Sequence, residues 1–160
     1  MLIDGFNILI TVETMLSEGI LLCCYDGCIR DMASVHGSYR KVEETLAAIA
    51  IIGETLEEQS PESVHWLFDS PVSNSARIAS FLEAQGKERH WPWTAELLAS
   101  PDHVLKKSDS IVCSGDSVVL DHCKAWYDLS SAILTKLKPK PRLLDFSFNE
   151  SFTSAEKGRF

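Results

Sequence analysis

The sequence predicts an α/β domain with a mostly parallel sheet buried on both faces. Two observations lead there: strand-like and helix-like segments alternate along the chain, and the strand-like ones are short and continuously apolar. A length of 160 residues suits one domain with enough chain to bury a core, and 45% hydrophobic with 24% charged residues is the composition of an ordinary globular protein.

In chain order, residues 1–3 read as a short buried strand, and "ILITVETMLSEG" has the apolar spacing and terminal Gly19 of a helix. Asp4 to Asn7 then form a strand-to-helix turn, although the Asp4-Gly5 pair also fits a hairpin. "ILLCCYDGCIRDM" places Asp26-Gly27 between two strand-like runs and is the better hairpin. Residues 38–58 read as a long helix, apolar almost all round in its middle and so buried on more than one side. Val64 to Phe68 form a strand ending at Asp69, and a helix follows from Asn74 to Gln85, closed by Gly86. "KERHWPWTAELLASPDHVLKK" is less regular and is expected to wrap an edge or carry a connection. Ile111 to Cys113 make a third short strand, Ser114 to Asp116 a turn, and Ser117 to Cys123 a helix. "AWYDLSSAILTKLK" adds a short strand and a last helix. These elements make a domain over residues 1–138, and residues 139–160 are a tail expected to be partly disordered.

No apolar run is long enough for a membrane span and no basic stretch precedes the first apolar segment, so a cytoplasmic protein is expected. Five cysteines without an export signal suggest reduced thiols, and the Cys23, Cys24, Cys28 cluster lacks the distant second half of a zinc site. A net charge of −8 argues against a general nucleic-acid coat. It does not oppose a metal-dependent enzyme, because bound divalent ions would partly cancel a carboxylate cluster.

In an open parallel sheet, ligands bind outside the carboxyl ends of the strands. If the strands before Asp4, Asp69 and Asp116 are parallel neighbours, three carboxylates converge there. Asp109 is a further candidate, although it precedes its strand and would lie at the opposite end unless the loop folds back. Crowded carboxylates raise one another's pKa and call for a cation, and an all-oxygen ligand set suits Mg2+ or Mn2+. Such an ion supports phosphodiester hydrolysis.

"LIDGFNILI" resembles the first acidic motif of the PIN and NYN nuclease superfamily, "WLFDS" its central strand motif, and "IVCSGDSVVLD" its late strand-turn-aspartate motif, in the expected order. "DGFNILITVE", "RDMASVHGSYRKVEET", "DSPVSNSARIA" and "SGDSVVLDHC" together resemble a family of archaeal and bacterial proteins of unknown function with a PIN-like main domain, over residues 1–138. The resemblance implies a PIN-like three-layer sandwich and a divalent-metal-dependent ribonuclease or related phosphodiesterase. The alternative is a non-catalytic PIN-like module that binds RNA or a protein. It further implies a small helical domain ahead of the first strand, so the chain is a truncated form or a shorter member. A homodimer would be in keeping with such domains. A nucleotide-binding switch is unsupported, since there is no Gly-rich phosphate loop.

Carried over by position, Asp4, Asp69 and Asp116 are the catalytic and metal-binding acids, and Glu43 or Glu44 matches the acid on an early helix. Ser117 stands where many active relatives carry a further charge, which leaves Asp121, about one helical turn on, as another candidate ligand. Asn7, Arg40, Ser73, Asn74 and Ser114 are candidate substrate contacts. Each has a plain structural alternative: Asp69, Ser73 and Asp116 as helix caps, Asn7 as a turn brace, and Glu44 as a first-turn carboxylate favoured by the helix dipole. His36 reads as a loop residue. Trp91 and Trp93, with Lys87, Arg89 and His90, read as an aromatic patch packing a loop. Lys136, Lys138, Lys140 and Arg142 read as a solvated helix end, with RNA contact as the minority reading.

Overall fold

A computed structural model describes residues 1–32 and 43–147. β1 (Leu2–Asp4) runs straight into α1 (Gly5–Leu16), so the expected turn over Asp4 to Asn7 is absent and the hairpin reading falls. Gly5 makes the direct junction possible. A Cβ on it would lie 2.5 Å from the Phe68 ring and 2.7 Å from the Leu67 carbonyl oxygen. The glycine is there for close approach rather than for a turn.

β2 (Ile20–Cys23) and β3 (Ile29–Asp31) form the expected hairpin, with Gly27 at φ +82°. Next come α2 (Glu43–Glu57), β4 (Val64–Asp69) and α3 (Ser75–Arg89). The segment expected to be irregular contains β5 (Trp93–Leu98) and α4 (Pro101–Leu105). β5 is an edge strand that exposes Thr94, Glu96 and Leu97, so it lacks the continuous apolar run of a strand covered on both sides. β6 (Ile111–Cys113), α5 (Ser117–Leu120), β7 (Ala125–Trp126), α6 (Leu129–Lys136) and β8 (Arg142–Asp145) complete the chain. β8 lies in the expected tail, yet it pairs in parallel with β2 and makes the hairpin a three-stranded sheet.

The central sheet has the order β5-β4-β1-β6-β7, all parallel. The chain builds outward from β1 through β4 to β5, then crosses back to lay β6 on the other side of β1. The β1/β6 boundary is therefore the topological switch point, where open parallel sheets bind ligands.

Alternate residues supply the two faces. Ile3, Trp66, Phe68 and Cys113 belong to the larger core with buried residues of α1, α2, α3 and α6. Leu67 and Val112 pack with Leu105 of α4 and Val119 of α5 in a smaller one. The result is a three-layer α/β sandwich with a thick and a thin helical side. Trp91, Trp93 and Trp66 pack in series with tilted rings, centroids 4.6 and 5.3 Å apart, and Arg89 lies over Trp91. The tryptophans thus fasten the α3–β5 connection to the core. Among the described residues no helix is long and apolar enough to cross a membrane. His36, Tyr39, Arg40 and Lys41, and the end of the tail from residue 148, lie outside the described residues.

Candidate functional site at the carboxyl edge of the sheet

Asp4 ends the central strand and is buried, with 6% of its surface exposed. It occupies the cap position of α1 but makes no side-chain cap bond. Its Oδ2 accepts the Ser114 hydroxyl at 2.6 Å, and the Ser114 Oγ in turn accepts the Asp116 amide at 3.0 Å. Ser114 therefore links the end of β1 to the β6–α5 loop across the switch point. Burial pushes the Asp4 carboxyl up to about 7. The Ser114 hydrogen bond opposes that rise, and the charges of Asp102, Asp69 and Asp116 add to it.

Asp69 ends β4, beside β1 in the sheet, and its carboxyl is raised as well, by burial first and then by the Asp102 charge. Asp116 caps α5, its Oδ1 accepting the amides of Val118 at 2.7 Å and Val119 at 3.1 Å. Capping occupies that oxygen and leaves Oδ2, so the cap and site readings of Asp116 are compatible.

The fourth acid is Asp102, in the first turn of α4 and 3.8 Å from Lys106. Its charge acts on both Asp4 and Asp69. Sequence reasoning passed over it because its strand, β5, went unrecognised. The available signal was "SPD", in which Pro101 at the first helical position and an acidic residue after it mark a helix start.

The loop bearing Asp116 is gripped at both backbone polar groups of Gly115. The Asn7 Oδ1 accepts the Gly115 amide at 2.6 Å, and the Arg30 Nε–H donates to the Gly115 carbonyl at 2.5 Å. The Arg30 fork donates to both oxygens of Asp26, at 2.9 and 2.6 Å. The hairpin that looked purely structural in sequence thus braces the site loop. Between them Asn7, Thr11, Arg30, Asp31, Asp116 and Ser117 line a polar hollow of about 360 Å³.

Other candidates fall elsewhere. Asp109 precedes β6 at the opposite edge and pairs with Lys124 at 2.5 Å, so the loop does not fold back. Asp121 is the exposed C-cap of α5, and Glu44 sits in the first turn of α2. None of these three is among the acids that act most on Asp4. Ser73 and Asn74 lie on the β4–α3 loop at the carboxyl edge, where Asn74 takes the cap position of α3 in a left-handed conformation without a side-chain cap bond. Arg40 lies outside the described residues, as does the side chain of Glu43.

The four acids are a hard, all-oxygen donor set of the kind magnesium and manganese take. By charge they fit a cation, which would offset the burial that chiefly raises Asp4 and Asp69 and the acidic field that adds to it. By distance they do not yet chelate one: among the described residues, no three His, Cys, Asp or Glu side chains are gathered closely enough to hold an ion. Asp69 and Asp102 are half-exposed.

Fold and site together define a parallel α/β domain with an acidic carboxyl edge. Residues 1–132 match the family described as a domain of unknown function, DUF5616, and the chain belongs to that family. It is also similar to an uncharacterised protein of Methanocaldococcus jannaschii, 29% identical over 140 residues. That alignment covers 86% of this chain and 66% of the relative, so the chain spans just under two thirds of the relative's length. No solved structure matches.

Proposed function

We propose that the protein is a divalent-cation-dependent phosphodiesterase, and specifically a ribonuclease, working at the acidic carboxyl edge. The observation that carries this reading is Asp4, a buried carboxyl at the end of the central strand with a pKa near 7 and three further acids acting on it. Burying an ionisable group at a switch point destabilises the fold, and such groups cluster at functional sites. The motif resemblance to PIN and NYN nucleases supplies the reaction class.

Asp4, Asp69 and Asp116 would hold magnesium or manganese, with Asp102 as the fourth acid. When bound, the ion polarises the phosphate and lowers the pKa of water. Ser114 holds the Asp4 carboxyl in place across the switch point. Asn7 and Arg30 fix the amide and the carbonyl of Gly115, the residue before Asp116. Near neutral pH Asp4 exchanges its proton readily, and cation binding is expected to release it.

Calorimetric titration with manganese, beside cleavage of a labelled RNA, tests the reading. The unaltered chain should bind manganese saturably and cleave in a manganese-dependent way, and the Asp4→Asn/Asp116→Asn double variant should do neither. Equal manganese binding by the two proteins, or none by either, would sink it.

One observation favours a second reading, a non-catalytic PIN-like module for RNA or a protein. Asp116 already caps α5 and Asp4 already accepts Ser114, so both have structural work. On that reading the double variant keeps its binding partner and shows no relief of charge repulsion in metal-free melts.

A further inference from the structure

We infer that a groove at the far end of α1 is a second binding site, an anchor for a nucleotide of single-stranded RNA. That RNA is the polyanion rests on the ribonuclease reading above; the groove itself does not. It is a hollow of about 340 Å³ between the last turn of α1, with Met15, Leu16 and Glu18, and the segment from Leu137 to Arg142 that follows α6.

Its charge is opposite to that of the chain as a whole. Lys138, Lys140 and Arg142 line it, all exposed, while Glu18 is the single acid among the lining residues. Among the described residues none of the three cations has an ion-pair or hydrogen-bond partner. Two residues before Lys138 the contrast is plain: Lys136 is held by Glu58 at 2.7 Å and by Thr55 at 3.3 Å. In a protein of net charge −8, three adjacent uncompensated cations are a local sink for a polyanion.

The cations alternate with Pro139 and Pro141, whose rings fix φ. Less freedom is therefore lost when the segment binds. The floor is apolar, made by buried Met15 and half-buried Leu16 and Leu137. An apolar floor under a cationic rim suits a base with its phosphate: the ring face meets Met15 and the leucines, and the phosphates meet the lysines and Arg142. A plain acidic peptide would leave the floor unused.

The groove and the acidic edge are joined by α1, which begins beside Asp4 and ends at Leu16. Its 12 residues at the helical rise span about 18 Å. The groove thus lies about one helix length from Asp4.

Fluorescence anisotropy with a labelled oligouridylate, in EDTA so that no metal contributes, tests the anchor. The Lys138→Gln/Lys140→Gln/Arg142→Gln variant should bind roughly tenfold more weakly. The slope of log affinity against log salt should fall by about 2, as expected for three lost phosphate contacts on a single strand. Lys140→Glu alone should weaken binding as well, which guards against damage from the triple change. Both variants should bind manganese like the unaltered chain, so failure of the acidic site and failure of the anchor are read separately. Unchanged affinity and slope in the variants, or no strand binding by the unaltered chain, would overturn the anchor. So would competition by uridine monophosphate or by polyglutamate as strong as that by unlabelled strand; the first would mark a free-nucleotide site and the second a general acidic-peptide site.

Discussion

Replacing Asp4 by Asn should make the protein more stable at pH 8 in the absence of divalent metal. The Asp4 carboxyl is raised from an ordinary 3.8 to about 7 by burial and by its acidic neighbours. Between those two values the folded protein keeps a proton that the unfolded chain gives up. Unfolding then releases a proton, so stability falls as pH rises from about 4 to about 7 and levels off above. A difference of about 3 units, at 1.36 kcal/mol each, amounts to about 4 kcal/mol across the window. Asn has nearly the same shape, stays neutral, and can still accept the Ser114 hydroxyl. The variant should therefore match the parent near pH 4 and exceed it by up to about 4 kcal/mol at pH 8. For a chain of this size that is on the order of 8–16 °C in melting temperature. Thermal or urea melts of both proteins from pH 4.5 to 8.5 in EDTA give the comparison, and their difference cancels the pH dependence of groups that do not interact with Asp4. Manganese at pH 8 should then recover stability in the parent and leave the variant where it is. Parallel pH profiles for the two proteins would refute the reasoning, because Asp4 would then titrate alike folded and unfolded.

Three further outcomes follow from the same geometry. Asp102→Asn should move the Asp4 titration toward the ordinary carboxylate range, since Asp102 is the first of the acidic charges acting on it, whereas Asp121→Asn should leave it in place; carbon-detected NMR of the Asp4 carboxyl reads both. Arg30→Ala should cost about 1.5–3 kcal/mol in urea melts and speed hydrogen exchange at the Gly115 amide, and Arg30→Lys should restore neither, because an ammonium cannot hold Asp26 with a fork while donating to the Gly115 carbonyl. Gly5→Ala drives a methyl group into the Phe68 ring and the Leu67 carbonyl, so it should destabilise the fold by about 1–3 kcal/mol or more, visible as a lower urea midpoint with the slope unchanged.

The central strands were legible because β1, β4 and β6 are covered on both faces over most of their length, exposing only His65 and Ile111, and a strand with little solvent side is mostly apolar. β5 was missed by the same rule: at the sheet edge, Thr94 and Glu96 face water and Pro92 precedes the first paired residue, so the segment looks like a loop. That one omission carried over to the site. With β5 unread, Asp102, whose charge acts on Asp4 and Asp69, drew no attention, and the further acids considered were Glu44, Asp109 and Asp121. Arg30 was unreadable for another reason. Its partner is the carbonyl of Gly115, 85 residues away, and a backbone acceptor leaves no trace in side-chain chemistry. Asp4 and Asp69 stood out as carboxylates ending an apolar run, and Asp116 as the acid of the short turn after one.

Asp4 also separates the two functional readings. A carboxylate kept for capping α1 would bond the amides of the first turn, and this one bonds none of them. One kept as an ordinary structural acceptor for Ser114 would be replaceable by Asn with no titration cost. Asp116 shows what the structural role looks like at a neighbouring position, with two helix amides on one oxygen. Asp4 instead lies buried at the switch point among like charges, an arrangement that lowers stability at neutral pH unless something positive enters. Asn7 and Arg30 hold the amide and the carbonyl of Gly115, and no cationic side chain is among the main influences on the Asp4 carboxyl. On the proposed reading a cation drawn from solution would offset this burial where the proton is lost, and the pH-dependent difference between the parent and its Asp4→Asn variant, with and without manganese, tests whether it does so.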